Sequence, residues 1–268
     1  MENNKQDLKS ALKYLLLYFL IAQCVTPLVI YGLDFSIEKF VLGNEVSIES
    51  ILNNSALDDW NLIISNLLII VIFIQKKYTN LDLSAQLAIG KYKSVFLWAI
   101  LLELSSILPI NLLVASLNLS DYNMLMESGE TTSLVGIFGV CLFAPFAEEL
   151  VMRGGIEEKL LQWKGNATIA ILLSSFFFAI LHLYPSAMIG VFLSSLFTGW
   201  VYYRTRNVMV CFFMHFTNNA VSCLADWLRP EDTIGPDSIF QTKILIIAIF
   251  SLFFMVASLS NLKRQTSA

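Results

Sequence analysis

Residues 94–117 have the sequence SVFLWAILLELSSILPINLLVASL, a run of 24 positions with one charged side chain, Glu103. A helix of about 20 apolar residues is long enough to cross the hydrocarbon core of a bilayer. Such runs recur along the chain, since 56% of its 268 residues are hydrophobic and 14% are charged. A water-soluble domain has about 25% charged residues and would aggregate with this composition. The sequence therefore predicts an all-α fold, a polytopic bundle of membrane-spanning helices, and excludes disordered and collagen-like chains.

Eight stretches are candidate membrane spans. They cover residues 11–33, 60–75, 94–117, 132–152, 167–184, 186–203, 207–228 and 239–262. The long acidic loop between the first two has room for a short surface helix. We expect three parts in the chain: N-terminal helices and outer loops over 1–131, a central core over 132–225, and a C-terminal helix and tail over 226–268.

The distribution of basic residues predicts the orientation, because cytoplasmic loops of membrane proteins are enriched in Lys and Arg. With a cytoplasmic N-terminus, 14 of the 17 basic residues fall on the inner side. These are Lys5, Lys9, Lys13, Lys76, Lys77, Lys91, Lys93, Arg153, Lys159, Lys164, Arg204, Arg206, Lys263 and Arg264. We therefore expect a multi-pass protein of the cell membrane with both termini in the cytoplasm.

The outer loops then hold the acidic residues Asp34, Glu38, Glu45, Glu49, Asp58, Asp59, Asp121, Glu127, Glu130, Glu231, Asp232 and Asp237, with Lys39, Arg229 and Lys243. A net charge of −4 argues against nucleic acid as a partner. The partners that we expect are the lipid bilayer and a peptide or membrane-protein substrate. The four cysteines lie singly in apolar runs and predict neither a disulfide framework nor a cysteine metal site.

Ionisable side chains are costly inside a membrane and usually have a function, and here they cluster in a few spans. The fourth span has Glu148, Glu149 and Arg153, and the two histidines, His182 and His215, lie in the fifth and the seventh. On a helix Glu149 and Arg153 are four residues apart and can pair, which leaves Glu148 free to act as a general base or acid. The alternative is that these charges only hold helices together.

Two further polar groups accompany this set. Asn219 lies one helical turn after His215 and shares its face. Glu103, in the third span, either lines the same cavity or is hydrogen-bonded to a neighbouring helix. The second interpretation is the plainer one.

The spacing around the turn at Gly165 predicts that the acidic and imidazole groups meet. Glu148 precedes Gly165 by 17 residues and His182 follows it by 17, so both lie about 25 Å from the turn in an antiparallel hairpin. His215 is about 16 Å inward from Arg204. The short turn after His182 pulls that residue toward the outer side, and helix tilt can absorb several ångströms.

These groups suit hydrolysis in two ways. A carboxylate and an imidazole can activate a water while the second imidazole and an Asn amide hold the oxyanion. Alternatively, Glu and two His are the ligand types of a zinc hydrolase, so a divalent metal such as zinc is a possible cofactor. The HExxH pattern of soluble zinc peptidases is absent, and three separate helices would have to supply the ligands.

At these residues the chain resembles the CPBP family, the CAAX-processing and bacteriocin-processing intramembrane proteases that are also called the Abi family. Three motifs carry the resemblance, in the family's order: EExxxR over Glu148-Glu149-Leu-Val-Met-Arg153, FxxxH over Phe178-Ala-Ile-Leu-His182, and HxxxN over His215-Phe-Thr-Asn-Asn219. They lie within residues 132–225. The first 130 residues carry no motif of the family.

The resemblance implies an intramembrane endopeptidase of eight helices with a site open to the cytoplasm. By the family pattern, Glu148 would activate the water and His182 would assist it. His215 with Asn219 would stabilise the oxyanion or bind the metal, and Arg153 and Glu149 would hold the architecture. Bacterial relatives are linked to peptide maturation, bacteriocin self-immunity and signalling. The competing hypothesis is a non-proteolytic immunity or regulatory protein that binds a partner such as a sensor kinase.

Overall fold

The structure, a computed structural model, describes residues 2–121, 133–228 and 238–266, and these residues form helices without a strand. The first helix, α1 (2–41), joins Glu2–Leu20, the π-helical turn Ile21–Val25, Thr26–Ser36 and a second π-helical turn, Ile37–Val41. The next helices are α2 (Ile48–Leu52), α3 (Ser55–Gln75), α4 (Leu83–Gln86) and α5 (Ile89–Ser116). The predicted all-α membrane bundle is confirmed.

The C-terminal half is built around one irregular helix, α6 (134–164). It joins Leu134–Phe138, the π-helical turn Gly139–Phe143, Ala144–Glu149, the π-helical stretch Leu150–Glu157 and Glu158–Lys164. It is followed by α7 (Ala167–Ala179), α8 (Pro185–Thr205), α9 (Val208–Trp227) and α10 (Ser238–Gln265). Six of the charged residues that we expect on the outer side lie outside the described residues, at positions 127, 130, 229, 231, 232 and 237.

The predicted count of eight spans needs one correction. Seven helices of the described residues are long and apolar enough to cross a membrane, whereas α7 has only 13 residues. At 1.5 Å per residue it is about 20 Å long, so the fifth predicted span, 167–184, ends early. Pro185 forces Tyr184 out of the helical region, with φ −99° and ψ 129°, so the chain cannot run as one helix from α7 into α8.

The turn between α6 and α7 reverses the chain sharply, as the predicted hairpin requires. Gly165 ends α6 with a φ of 61°, in the left-handed region that glycine tolerates best. Asn166 then caps α7, since its side-chain oxygen accepts a hydrogen bond from the backbone N–H of Ile169 at 3.1 Å. The two helices therefore run antiparallel from this point.

The centre of the bundle is α6, against which α1, α3, α7 and α9 pack. Every residue of its π-helical stretch Leu150–Glu157 is buried. Arg153, which the charge argument counted among the cytoplasmic residues, is 0% exposed in the middle of this helix. The predicted end of the span at residue 152 is therefore wrong, because α6 continues to Lys164 and carries Arg153 inside the protein.

Polar contacts bring both ends of the chain to one end of the bundle. Lys159 near the end of α6 pairs with Asp7 of α1 at 3.1 Å, and Arg204 near the end of α8 donates to Thr266 at 2.9 Å. We call this the basic end, because Lys13, Lys159 and Arg204 lie there. The side of the membrane that it faces stays a prediction from the charge distribution.

Candidate active site

The imidazole of His215 lies between two adjacent carboxylates of α6. Its Nδ1 is 3.0 Å from Oε1 of Glu149, and its Nε2 is 3.6 Å from Oε2 of Glu148. The first distance is a hydrogen bond and the second is slightly too long for one. With Nδ1–H donating to Glu149, the other ring nitrogen faces Glu148, which is the arrangement that fixes a catalytic histidine in orientation and tautomer.

Glu149 is itself held by Arg153, as their spacing predicts. The Arg153 Nε donates to Oε2 of Glu149 at 2.9 Å, and Nη1 donates to Oε2 of Glu157 at 3.0 Å. The guanidinium also donates to Ser195 at 2.7 Å and to Ser174 at 3.4 Å. An arginine with this many acceptors is fixed in position, so Glu149 and, through it, His215 are fixed as well.

Glu148 is the more open of the two carboxylates. Its side chain is 18% exposed, against 1% for that of Glu149. The hydroxyl of Tyr18 donates to its Oε1 at 3.1 Å, which leaves Oε2 for His215. Tyr18 belongs to α1, in the part of the chain where we expected no site residue. A single tyrosine in an apolar helix gives no pattern from which this contact is predictable.

His182 does not lie in a span as expected, but in the connection that follows α7. Its Nδ1 is 3.2 Å from the carbonyl oxygen of Phe178. The ring of Phe178 contacts both imidazoles, with centroid distances of 5.2 Å to His182 and 5.7 Å to His215. His182 also interacts electrostatically with Glu148. The structure therefore brings His182 and His215 to one aromatic ring, and Glu148 faces His215.

Asn219 is one turn beyond His215 on α9, but its amide is engaged elsewhere. The side-chain nitrogen donates to the backbone carbonyl of Val140 at 2.9 Å, within the first π-helical turn of α6. This bond ties α9 to α6 beside the carboxylates. A role for Asn219 in holding an oxyanion stays a prediction from the resemblance.

A cavity of about 500 Å³ lies beside His215, which lines it together with Glu149 but without Glu148. Its walls come from α5, α8 and α9, and its inner end has Glu149, Arg153 and Glu103. Glu103 lines this cavity and also accepts a hydrogen bond from Ser194 of α8 at 3.1 Å. It therefore both faces the cavity and bonds to a neighbouring helix, which the sequence analysis gave as alternatives.

The ligand set of a zinc hydrolase is not assembled at this site. Among the described residues, no three His, Cys, Asp or Glu side chains group as ligands of one ion. Glu149 already binds Arg153 and His215, and Nδ1 of His182 faces a backbone carbonyl. The contact of His182 Nδ1 leaves its Nε2 available, so the described residues form no complete ligand set, and zinc binding stays a prediction. No step of the reaction is assigned to a metal.

Comparison with known proteins identifies the segment that carries these groups. Residues 130–221 match the family model of the type II CAAX prenyl endopeptidases, described as Rce1-like. This match is consistent with the CPBP, or CAAX protease, family, and we call residues 130–221 the CAAX-protease segment. Searches of curated proteins and of solved structures give no match to the chain.

The CAAX-protease segment contains all three motifs and the helices α6 to α9 that bring them together. Two of the groups that complete the site lie outside it. Tyr18 reaches Glu148 from α1, and Glu103 reaches the cavity from α5. The site of this protein is therefore assembled from the family segment and from helices that the family model does not cover.

Proposed function

We propose that the protein is an intramembrane endopeptidase that hydrolyses a peptide bond with a water activated by Glu148. The observation that carries the proposal is the chain of contacts from Arg153 through Glu149 and His215 to Glu148. A charge network that only held helices together would not need a second, partly open carboxylate facing the second ring nitrogen of an oriented imidazole.

The geometry supports a sequence of three proton-balanced steps. A water beside the 3.6 Å gap between Glu148 and His215 can hydrogen-bond to both atoms. Glu148 takes a proton from this water, and the oxygen attacks the carbonyl carbon of the substrate. When the carbon–nitrogen bond breaks, the proton held by Glu148 passes to the leaving amine.

The two imidazoles have separate roles in this proposal. His215, protonated on both nitrogens and compensated by Glu149, donates from Nε2 to the oxygen that becomes negative during the attack. His182 assists Glu148 from the other side of Phe178. Asn219 positions α9 through Val140, and a further contact of its amide with the oxyanion is the role that the family pattern suggests. The alternative of a zinc-bound water stays a prediction.

The substrate class follows from the family and from the location of the site. We propose a peptide or a membrane-associated protein in a bacterial cell membrane, and a role in peptide maturation, bacteriocin self-immunity or signalling. A prenylated substrate is not part of the proposal.

The test is a comparison of peptides from cells that express the protein, its Glu148→Gln variant or its Glu45→Gln variant. Glu45 is an exposed glutamate far from the site in sequence and is the matched control. Loss of a general base lowers the rate by about 10²–10⁴-fold, so an uncut precursor should accumulate only with Glu148→Gln. His182→Ala should give the same result.

Equal amounts of every peptide in all of these cells would contradict the proposal, provided that membrane levels of the variants match the wild type. If a phenotype of the protein also persists in Glu148→Gln and His182→Ala, the protein acts as a non-proteolytic immunity or regulatory protein instead.

A further inference from the structure

The cavity that His215 lines is an elongated cleft. Along α5 it extends from Glu103 to Val114, and along α8 from Ser186 to Thr198. At 1.5 Å per residue these stretches are about 16 and 18 Å long. The side chain of Glu103 is buried at the inner end, whereas Asn111 is exposed farther along α5. The cleft therefore opens away from the basic end. Under the predicted orientation this is the outer side, not the cytoplasmic side that the resemblance implied.

Glu103 has an unsatisfied oxygen at the inner end of the cleft. The residue is 1% exposed, and its Oε1 accepts the hydrogen bond from Ser194. Its Oε2 is buried and has no hydrogen-bond partner. A buried carboxylate oxygen without a donor is costly, and in a membrane the cost is larger. A ligand that brings a donor to this oxygen removes that cost.

The cations of the site cannot serve as this donor. Arg153, which also lines the cleft, already donates to Glu149, Glu157, Ser174 and Ser195. In the described part of the chain, three carboxylates at most 1% exposed, those of Glu103, Glu149 and Glu157, accompany this one equally buried guanidinium. Arg153 pairs with Glu149 and Glu157, and His215 pairs with Glu149. Glu103 is therefore the buried carboxyl group that is left for an incoming cation.

The walls between the mouth and Glu103 define the rest of the ligand. They present apolar side chains from all three helices, including Ile107, Ile110, Val191 and Val221. Hydroxyl groups of Ser106, Ser194 and Thr198 lie near the carboxylate end. A ligand that fits has an apolar stem several carbons long and a positively charged head, as lysine and arginine side chains do.

We propose that this cleft is a binding site for a basic side chain of a peptide, with the charged head at Glu103 and the peptide backbone toward His215. The identity of that peptide as the substrate rests on the proposed endopeptidase function. The binding itself does not, because Glu103 is separate from the water-activating groups. Glu103 would then be the residue that selects lysine or arginine near the bond that is cut.

The test measures binding with the Glu148→Gln protein in phosphatidylcholine nanodiscs, so that no peptide is cut and the lipid carries no net charge. The probes are fluorescent eight-residue Leu/Ala peptides with blocked ends and one lysine at each position in turn, beside twins with norleucine. A charge-assisted hydrogen bond predicts that the best lysine peptide binds about tenfold or more tightly than its twin. Adding Glu103→Gln should abolish this preference, whereas adding Glu45→Gln should leave it intact.

Equal binding of each lysine peptide and its norleucine twin, including no binding by either, overturns the proposal. Retention of the lysine preference in Glu103→Gln also overturns it. Glu103→Asp keeps the charge and should keep a reduced preference, which separates the loss of a contact from a folding defect. A lysine preference that depends on Glu103, together with unchanged peptides in cells, would refute the endopeptidase function alone.

Discussion

The helices α6 and α10 have similar hydrophobic composition and opposite environments. Their most apolar stretches have mean hydropathies of 1.9 and 2.3, yet 50% of the residues are buried in α6 and only 6% in α10. The difference lies in the polar content of the apolar run. The centre of α6 has Glu148, Glu149 and Arg153, whereas α10 shows Phe250 and Phe253 to the lipid at 61% and 67% exposure.

Hydropathy therefore locates the membrane spans but does not show how much of each span is buried inside the protein. A helix with charges in its middle must be surrounded by other helices, because lipid offers no hydrogen-bond partners. A helix without such groups can lie at the edge, as α10 does along α5. The following predictions compare how strongly substitutions around α6 and on α10 change the stability and the activity of the protein.

The largest effect is expected from Arg153→Met. The change leaves Glu149 and Glu157 as uncompensated buried carboxylates, and breaking a buried ion pair costs about 3–5 kcal/mol. The thermal unfolding midpoint in detergent should fall strongly, and His215 should lose its orientation. Phe253→Leu on α10 is the control, and its midpoint should stay at the wild-type value. Similar unfolding midpoints for the two variants would show that the ion pairs of α6 contribute no more to stability than an exposed side chain of α10.

Two glycines of α8 sharpen the comparison within one helix. A Cβ on Gly199 would lie 2.9 Å from Oε2 of Glu157 and 3.2 Å from Nη1 of Arg153, whereas a Cβ on Gly190 meets only Val114, at 3.9 Å. Overpacking of a filled site costs about 1–3 kcal/mol. Gly199→Ala should therefore lower the unfolding midpoint and the activity, and Gly190→Ala should change neither measurably. An equal response of both variants would contradict the packing described around Arg153.

A smaller effect is expected from Tyr18→Phe, which removes the donor to Glu148 but keeps the ring. Hydrogen bonds to charged groups contribute about 1.5–3 kcal/mol, so cleavage of a substrate should slow by about tenfold or more. The unfolding midpoint should change little. Tyr203→Phe, at a partly exposed position of α8, is the control. An unchanged cleavage rate in Tyr18→Phe would show that Tyr18 of α1 does not contribute to the reaction.

The smallest effect concerns Asp121, which lies outside the spans and caps α8 from another part of the chain. Its carboxylate accepts the backbone N–H and the hydroxyl of Ser186 at 2.8 and 2.7 Å, and these bonds lower its pKa below the ordinary 3.8. A lowered pKa in the folded state gives stability that is present above pH 3.8 and is lost as the pH falls through the lowered value. Asp121→Asn should reduce the unfolding midpoint slightly at pH 7, and this reduction should shrink as the pH falls below 3.8. A difference that persists at acidic pH would contradict this cap.

Much of the fold was predictable because it depends on local sequence. Apolar runs gave the approximate positions of the spans, Gly165 and Asn166 gave the hairpin, and the four-residue spacing gave the pair of Glu149 and Arg153. Two predicted ends were wrong, since α6 continues past residue 152 to Lys164 and α7 ends at Ala179 although its apolar run continues.

The site was predictable only where its residues lie in short motifs. Tyr18 is 130 positions from Glu148, and Ser195 is 42 positions from Arg153. Such contacts depend on how helices pack, and neither residue type stands out in an apolar segment. Arg153 was predicted on the cytoplasmic side because a charged residue is more common in a loop than inside a membrane protein. The acceptors that allow its burial come from other helices, and the sequence does not reveal them. The assignment of catalytic roles and the three-part division of the chain stay predictions.

The short helix α7 has a consequence for the surrounding lipid. At about 20 Å it falls roughly 10 Å short of a typical hydrocarbon core. Such hydrophobic mismatch is accommodated by thinning of the adjacent leaflet, so headgroups and their hydration are drawn down toward the loop that bears His182. A hydrolase embedded among acyl chains needs a supply of water, and a dimple in the bilayer beside α7 would provide it.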